Sequence, residues 1–136
     1  MIGLDTNVLV RYVMQDDPRQ SPRATRLIEA LSADEPGFVP VVALVELVSV
    51  LAGSYALDRA QVATVLDTLL RSKELVVDRA DLVTQALNRY SAAGADFADA
   101  LIERIARLLG DHEFRCGCRE GGGDDAGALT RWLSME

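Results

Sequence analysis

The sequence predicts an α/β fold in which a central parallel sheet is covered by helices. Apolar stretches of strand length recur along the chain, at Ile2 to Leu4, Phe38-Val39 and Leu75-Val76-Val77. Between them, apolar residues repeat at helical spacing, and this alternation builds parallel sheets with crossover helices. Caps and breakers fall at the joins, at Asp17-Pro18, Pro40, Asp58 and Gly94.

Taken in order, Ile2 to Leu4 is the first strand and a helical segment runs from about Asn7 to Met14. Asp17-Pro18 reads as a cap plus first helical proline, with Ala24, Leu27, Ile28 and Leu31 forming one apolar face. Ser32 to Gly37 is a turn cluster before the short strand Phe38-Val39. The apolar run Val41 to Ala52 is too long for a strand and reads as a helix. Pro40 sits at or near its first position, where a missing N–H costs nothing, and Gly53-Ser54 ends it. Asp58 caps the next helix, carrying Val62, Val65, Leu66 and Leu69. After the strand Leu75 to Val77, Leu82, Val83, Ala86, Leu87 and Tyr90 mark another helix, ended near Gly94. A last helix begins near Asp96, on the spacing of Leu101, Ile102, Ile105 and Leu109. No internal repeat and no linker interrupts the chain before residue 110.

Three acidic elements stand out against this framework. Asp5 follows the first strand directly, and ligands of open parallel sheets bind at the carboxyl ends of strands. The same aspartate also suits the N-cap of the next helix, and the segment alone leaves both readings open. Glu46 is the one ionisable residue in Val41 to Ala52. A helix apolar nearly all round is expected to be buried, so its carboxylate must be paired, hydrogen-bonded or bound to a metal. An ion pair with one of the arginines is the alternative to a functional carboxylate. Asp96 is a natural N-cap, and Asp99 lies three residues later, where negative charge suits the helix dipole. A capping box normally places Glu or Gln at that later position, so Asp99 is also free to project towards a shared site.

Composition bounds the rest. At 136 residues the chain fits one domain with a normal core, and 49% hydrophobic content argues against disorder. No apolar segment reaches the ~18 residues of a membrane span. No basic region precedes an apolar stretch at the N-terminus, so no signal peptide is expected and a cytoplasmic location is. Cys116 and Cys118 give no disulfide framework and lack the second pair of a structural zinc site. The net charge of −7 argues against broad coating of a nucleic acid, and favours a narrow substrate contact or a basic segment of a partner protein. Arg11, Arg19, Arg23 and Arg26 lie close together after Asp5, and Arg suits phosphate. With 13 Arg to the single Lys73, a coding bias explains that cluster equally well.

The opening Gly3-Leu4-Asp5-Thr6-Asn7-Val8-Leu9, the Glu46 helix behind Val39-Pro40, and Asp96-Phe97-Ala98-Asp99-Ala100-Leu101-Ile102 together resemble the PIN-domain family. Within it, the chain is similar to the VapC-type toxins of bacterial toxin–antitoxin pairs. The likeness runs over roughly residues 1 to 110 of a single PIN-like domain. It implies a metal-dependent ribonuclease in which Asp5, Glu46 and Asp99 gather around Mg²⁺ or Mn²⁺, with Asp96 a nearby helper. It also implies a cognate antitoxin and a homodimer, docked through any exposed apolar strip on the helices of Leu47, Leu51, Val62, Leu66 and Leu69. Core burial is the simpler expectation for each of those five side chains.

The pattern departs from the family in the last segment, 111–136. The family usually closes with a Thr-Phe-Asp-like strand whose Asp completes the acidic cluster. Here the stretch Asp111 to Arg119 places Cys118 at that position, and the Gly-rich Glu120 to Gly127 follows. An irregular C-terminal segment and reduced activity are the expectations, since thiolate prefers softer metals than Mg²⁺. His112 lies outside the acidic set and reads as a surface residue. A catalytically impaired PIN-like domain acting as an antitoxin-binding protein is the alternative. A haloacid-dehalogenase-like phosphatase is ranked last, because it needs a second Asp where Asn7 stands.

Overall fold

The computed structural model describes residues 1–108. Three short strands, β1 (Ile2–Gly3), β2 (Gly37–Val39) and β3 (Leu75–Val77), pair in parallel in the order β1-β2-β3. The helices between and after them are α1 (Thr6–Met14), α2 (Gln20–Glu29), α3 (Val41–Gly53), α4 (Arg59–Arg71), α5 (Ala80–Ala93) and α6 (Phe97–Leu108). The expected α/β architecture is therefore present, with helix and strand identities as read from the pattern. The expectations for Asp111, His112, Cys116, Cys118 and the Gly-rich stretch lie outside the described residues.

Local chemistry sets most boundaries. Asp58 caps α4 in a reciprocal box, accepting from the Gln61 N–H at 2.8 Å while the Gln61 side chain accepts from the Asp58 N–H at 3.0 Å. Gly94 closes α5 at φ 68°, a conformation open to glycine without a side-chain clash. Asp17 Oδ1 accepts from the N–H groups of Arg19 and Gln20, so the expected cap is made. Regular α2 nevertheless begins only at Gln20, because Pro18 and Arg19 form a turn.

The sheet is narrow, and the core sits between its strands and the helices. Leu47, Leu51, Val62, Leu66 and Leu69 are all core residues, so the apolar surplus of α3 and α4 is internal. Gly37, on the central strand, lies where a Cβ would come within 2.8 Å of Leu31 Cδ1, 2.9 Å of Leu4 Cδ1 and 3.1 Å of Leu75 Cδ2. A side chain there would require these leucine ends to shift. At the far edge, Arg59 packs over the Tyr90 ring at 4.6 Å and donates to Ala95 O at 2.8 Å, tying the start of α4 to the α5–α6 turn. The Tyr90 and Phe97 rings meet edge to face at 6.3 Å, which seats α6 against α5.

One charged clamp reinforces that pair. Glu103 on α6 binds Arg89 of α5 through Oε2 and Arg107 of its own helix through Oε1. Burial disfavours the Glu103 carboxylate, but the hydrogen bond from Arg89 and the charges of Arg89, Arg107 and Arg104 outweigh it and hold the group below its usual range.

Two outcomes are expected. Gly37→Val should destabilise the protein by about 1–3 kcal/mol in chemical denaturation, the cost of overpacking. An unchanged midpoint would mean the three leucines swing aside freely. Because the folded state lowers the Glu103 pKa, its stabilisation is present above the ordinary carboxylate range and lost as pH falls through the folded value. Glu103→Gln should therefore lower the melting temperature at about pH 7 and lose that effect near about pH 3, where the parent carboxyl is also neutral. An equal deficit at both pH values would show that the charge is not the stabilising feature.

Candidate functional site

The carboxyl ends of β1 and β2 open into a cavity of about 980 Å³, bordered by the first turns of α1 and α3. The strand ladder continues one residue past β1, through Leu4 N–H to Phe38 O at 2.8 Å, and releases the chain at Asp5. Asp5 has extended backbone and caps α1, its Oδ1 accepting from the Val8 N–H at 2.9 Å. The two sequence readings of Asp5 are thus compatible. One carboxylate oxygen closes the helix, while the side chain remains exposed at the strand end.

Glu46 lines the same cavity from α3. Here the structure corrects the sequence expectation, because Glu46 is exposed rather than buried in an apolar helix. The reason is that α3 packs on only part of its circumference. Ala43, Leu44, Leu47 and Leu51 enter the core, whereas Val42, Glu46 and Ser49 face outwards, Val42 at 63% exposure. No buried ion pair is needed, and the partner of Glu46 is instead a hydroxyl. Thr6 Oγ1 donates to Glu46 Oε2 at 2.9 Å, with Ala43 O a weaker second acceptor at 3.4 Å. Thr6 therefore joins the helix that Asp5 caps to the helix that carries Glu46.

Asp96 and Asp99 open α6. Asp96 Oδ1 accepts from the Asp99 N–H at 3.1 Å, the cap expected of it. Burial first, and the neighbouring Asp96 charge second, push the Asp99 carboxyl above its usual range. Asp96 borders a second cavity of about 590 Å³ with Val45, Ser49 and Arg59, on the other side of α3 from Asp5 and Glu46. The structure thus brings Asp5 and Glu46 into one cavity and sets Asp96 beside another. Among the described residues, no three His, Cys, Asp or Glu side chains lie together as a metal site.

The donor chemistry of the first cavity fits a hard divalent cation. Asp5, Glu46 and the Thr6 hydroxyl present oxygen alone, and Mg²⁺ usually binds through one or two carboxylates and keeps several waters.

A second polar group in this cavity escaped the sequence reading. Arg11, expected to belong to a basic cluster, turns inward. Its Nε donates to Gln20 Oε1 at 3.2 Å and its Nη1 pairs with Asp16 Oδ1 at 3.2 Å. The Tyr55 hydroxyl donates to Asp16 Oδ2 at 2.6 Å. That hydrogen bond, with the Arg11 contacts, outweighs desolvation and holds the Asp16 carboxyl below its usual range, while it raises that of the Tyr55 hydroxyl. Arg19, Arg23 and Arg26 stay exposed. Tyr55 follows α3 without any motif around it, so no sequence signal marked it.

The PIN-domain family profile matches residues 2–114. A VapC ribonuclease of Aquifex aeolicus (strain VF5) is 26% identical over 110 residues, covering 81% of this chain and 82% of the relative. No solved structure gives a significant match. No helix among the described residues is long and apolar enough to cross a membrane.

The double duty of Asp5 gives a separable prediction. Asp5→Ala should cost about 1 kcal/mol of stability through loss of the cap, whereas Asp5→Asn should fold as the parent does, since Asn caps as well as Asp. Chemical denaturation of the two variants checks this, and equal midpoints would show that the cap contributes nothing.

Proposed function

The chain belongs to the PIN-domain family, and from that premise we propose that it is a metal-dependent endoribonuclease, the toxin component of a toxin–antitoxin pair. The observation that carries this reading is the pair Asp5 and Glu46, lining one open cavity at the strand ends and joined through Thr6. The similarity to a VapC ribonuclease supports RNA as the substrate class.

In this reading Asp5 and Glu46 would hold Mg²⁺ or Mn²⁺ in the first cavity, and Asp99, which does not stand with them as a three-carboxylate cluster among the described residues, would complete the set, with Asp96 a helper that fixes the first turn of α6. A bound divalent cation lowers the pKa of a water and offsets charge developing on the phosphate. The chain's own residues do the positioning. Val8 N–H holds Asp5 Oδ1, so the rotation of that carboxylate is set before any ligand arrives. Thr6 does the same for Glu46 Oε2. The α1 N-terminus supplies a partial positive charge beside the cavity, which favours an approaching phosphate. Burial and Asp96 raise the Asp99 pKa, and a neighbouring cation would reverse that shift.

Family membership also motivates a cognate antitoxin partner, a homodimer and a cytoplasmic location as parts of the same proposal. A basic antitoxin segment would suit the net charge of −7.

The test is RNA cleavage by the purified protein with Mg²⁺ or Mn²⁺, with chelator, and in the variants Asp5→Asn, Glu46→Gln and Asp99→Asn. Cleavage should stop with chelator and fall by about 100-fold or more in each variant, the scale of losing a well-placed group. Chelator-insensitive cleavage, or parental rates in Asp5→Asn and Glu46→Gln, would refute the proposal.

A further inference from the structure

The cavity of Asp5 and Glu46 is a trough between two helices, and its other end carries the Arg11 network. Asn7 and Arg11 line it from α1, and Glu46 and Val50 from α3, each pair four residues apart on one helix face. Thr6 meets Glu46 while Arg11 meets Tyr55, so the two helices run in the same direction along the trough. At a rise of ~1.5 Å per residue, Arg11 stands about 9 Å further along α1 than Asp5. That puts its backbone more than one helical turn beyond Asp5, towards the other end of the trough.

Charge singles out Arg11. Among the described residues lining the trough it is the one cation, in a site with two carboxylates and a protein of net charge −7. An incoming polyanion needs such a counter-charge, and a guanidinium fork matches phosphate geometry; Asp16 already pairs with Nη1, so a phosphate would share the guanidinium with that carboxylate. The bonds to Gln20, Asp16 and Tyr55 use Nε and Nη1 and fix the guanidinium plane, and among the described residues none uses Nη2. Tyr55 lines the same trough, its half-buried ring seated against the core and its hydroxyl tied to Asp16 at 2.6 Å, so core packing as well as the hydroxyl holds the ring. Gln15 (φ 51°), just before Asp16, and Ala56 (φ 53°), just after Tyr55, both hold left-handed backbone that non-glycine residues seldom adopt.

We infer that Arg11 and Tyr55 form a nucleotide-positioning subsite, in which Arg11 takes the phosphate adjoining the scissile one and Tyr55 stacks the attached base. Asp16 and Gln20 are positioning residues that hold the pair. The subsite rests on the ribonuclease reading and adds to it a means of aligning single-stranded RNA. Base–aromatic stacking tolerates any base, so Tyr55 sets register rather than sequence.

The experiment measures binding of a fluorescently labelled, mixed-sequence single-stranded RNA oligonucleotide in chelator, over a range of salt. Arg11→Gln should weaken binding about 10-fold and reduce the slope of log K against log salt by about 0.7, one phosphate contact on a single strand. Arg11→Lys should keep the slope and lose part of the affinity. Tyr55→Ala should weaken binding about 10-fold at unchanged slope, whereas Tyr55→Phe should stay within about 3-fold of the parent. A parental slope in Arg11→Gln, a Tyr55→Phe as weak as Tyr55→Ala, or no RNA binding by the parent would each overturn the subsite. If Arg11→Gln fails to fold, the Arg11→Lys slope and the Tyr55 pair decide alone. Parallel cleavage by Asp5→Asn separates the two readings. Its loss of activity beside a parental slope in Arg11→Gln refutes only the subsite. Unimpaired cleavage beside a reduced slope refutes only the carboxylate chemistry.

Discussion

The hydrogen bond from Thr6 to Glu46 is the contact on which the site depends. It joins residues 40 positions apart, linking the first turn of α1 to the second turn of α3, two helices that leave adjacent strands. The sheet ladder fixes where α1 starts, because Leu4 is still bonded to Phe38 and Asp5 is the first residue released. Pro40 fixes where α3 starts, since it cannot donate to the ladder and its extended backbone precedes the helix. With both starts fixed, the first residue of α1, Thr6, meets Ala43 and Glu46 in the first two turns of α3. Two carboxylates then share one cavity.

Placing two acids together in an already acidic protein costs electrostatic energy, and the fold limits that cost in two ways. Both groups are solvent-exposed, so water screens their repulsion. Each also accepts a hydrogen bond, Asp5 from a backbone N–H and Glu46 from a hydroxyl. Asp99 lacks the first protection. Half-buried at the start of α6, it has its carboxyl pushed above the usual range by burial first and by Asp96 second. Asp16 and Glu103 are paired with arginines within the fold, whereas Asp5 and Glu46 line the open cavity.

Helix α3 organises these features because its three faces do different things. Leu44, Leu47 and Leu51 anchor it in the core, Glu46 and Val50 line the trough, and Val45 and Ser49 border the cavity beside Asp96. This division was hard to read from the sequence. Nearly every residue of Val41 to Ala52 is apolar, so periodicity gave no sign of which side met solvent. The expectation of a buried Glu46 fails for that reason.

Local physics determined much of what is seen. Caps at Asp5, Asp58 and Asp96, the breaker Gly94, and strand-length apolar runs are encoded within a few residues, because their hydrogen bonds close within one turn of chain. The α/β class, the boundaries of most elements and the acidic candidates were therefore legible in the sequence alone. The meeting of Thr6 with Glu46, the inward turn of Arg11, the role of Tyr55 and the exposure of Glu46 were decided by the tertiary structure. Each depends on how α1 and α3 pack against each other, and that packing is set by side chains distant in sequence whose local patterns carry no record of their partners.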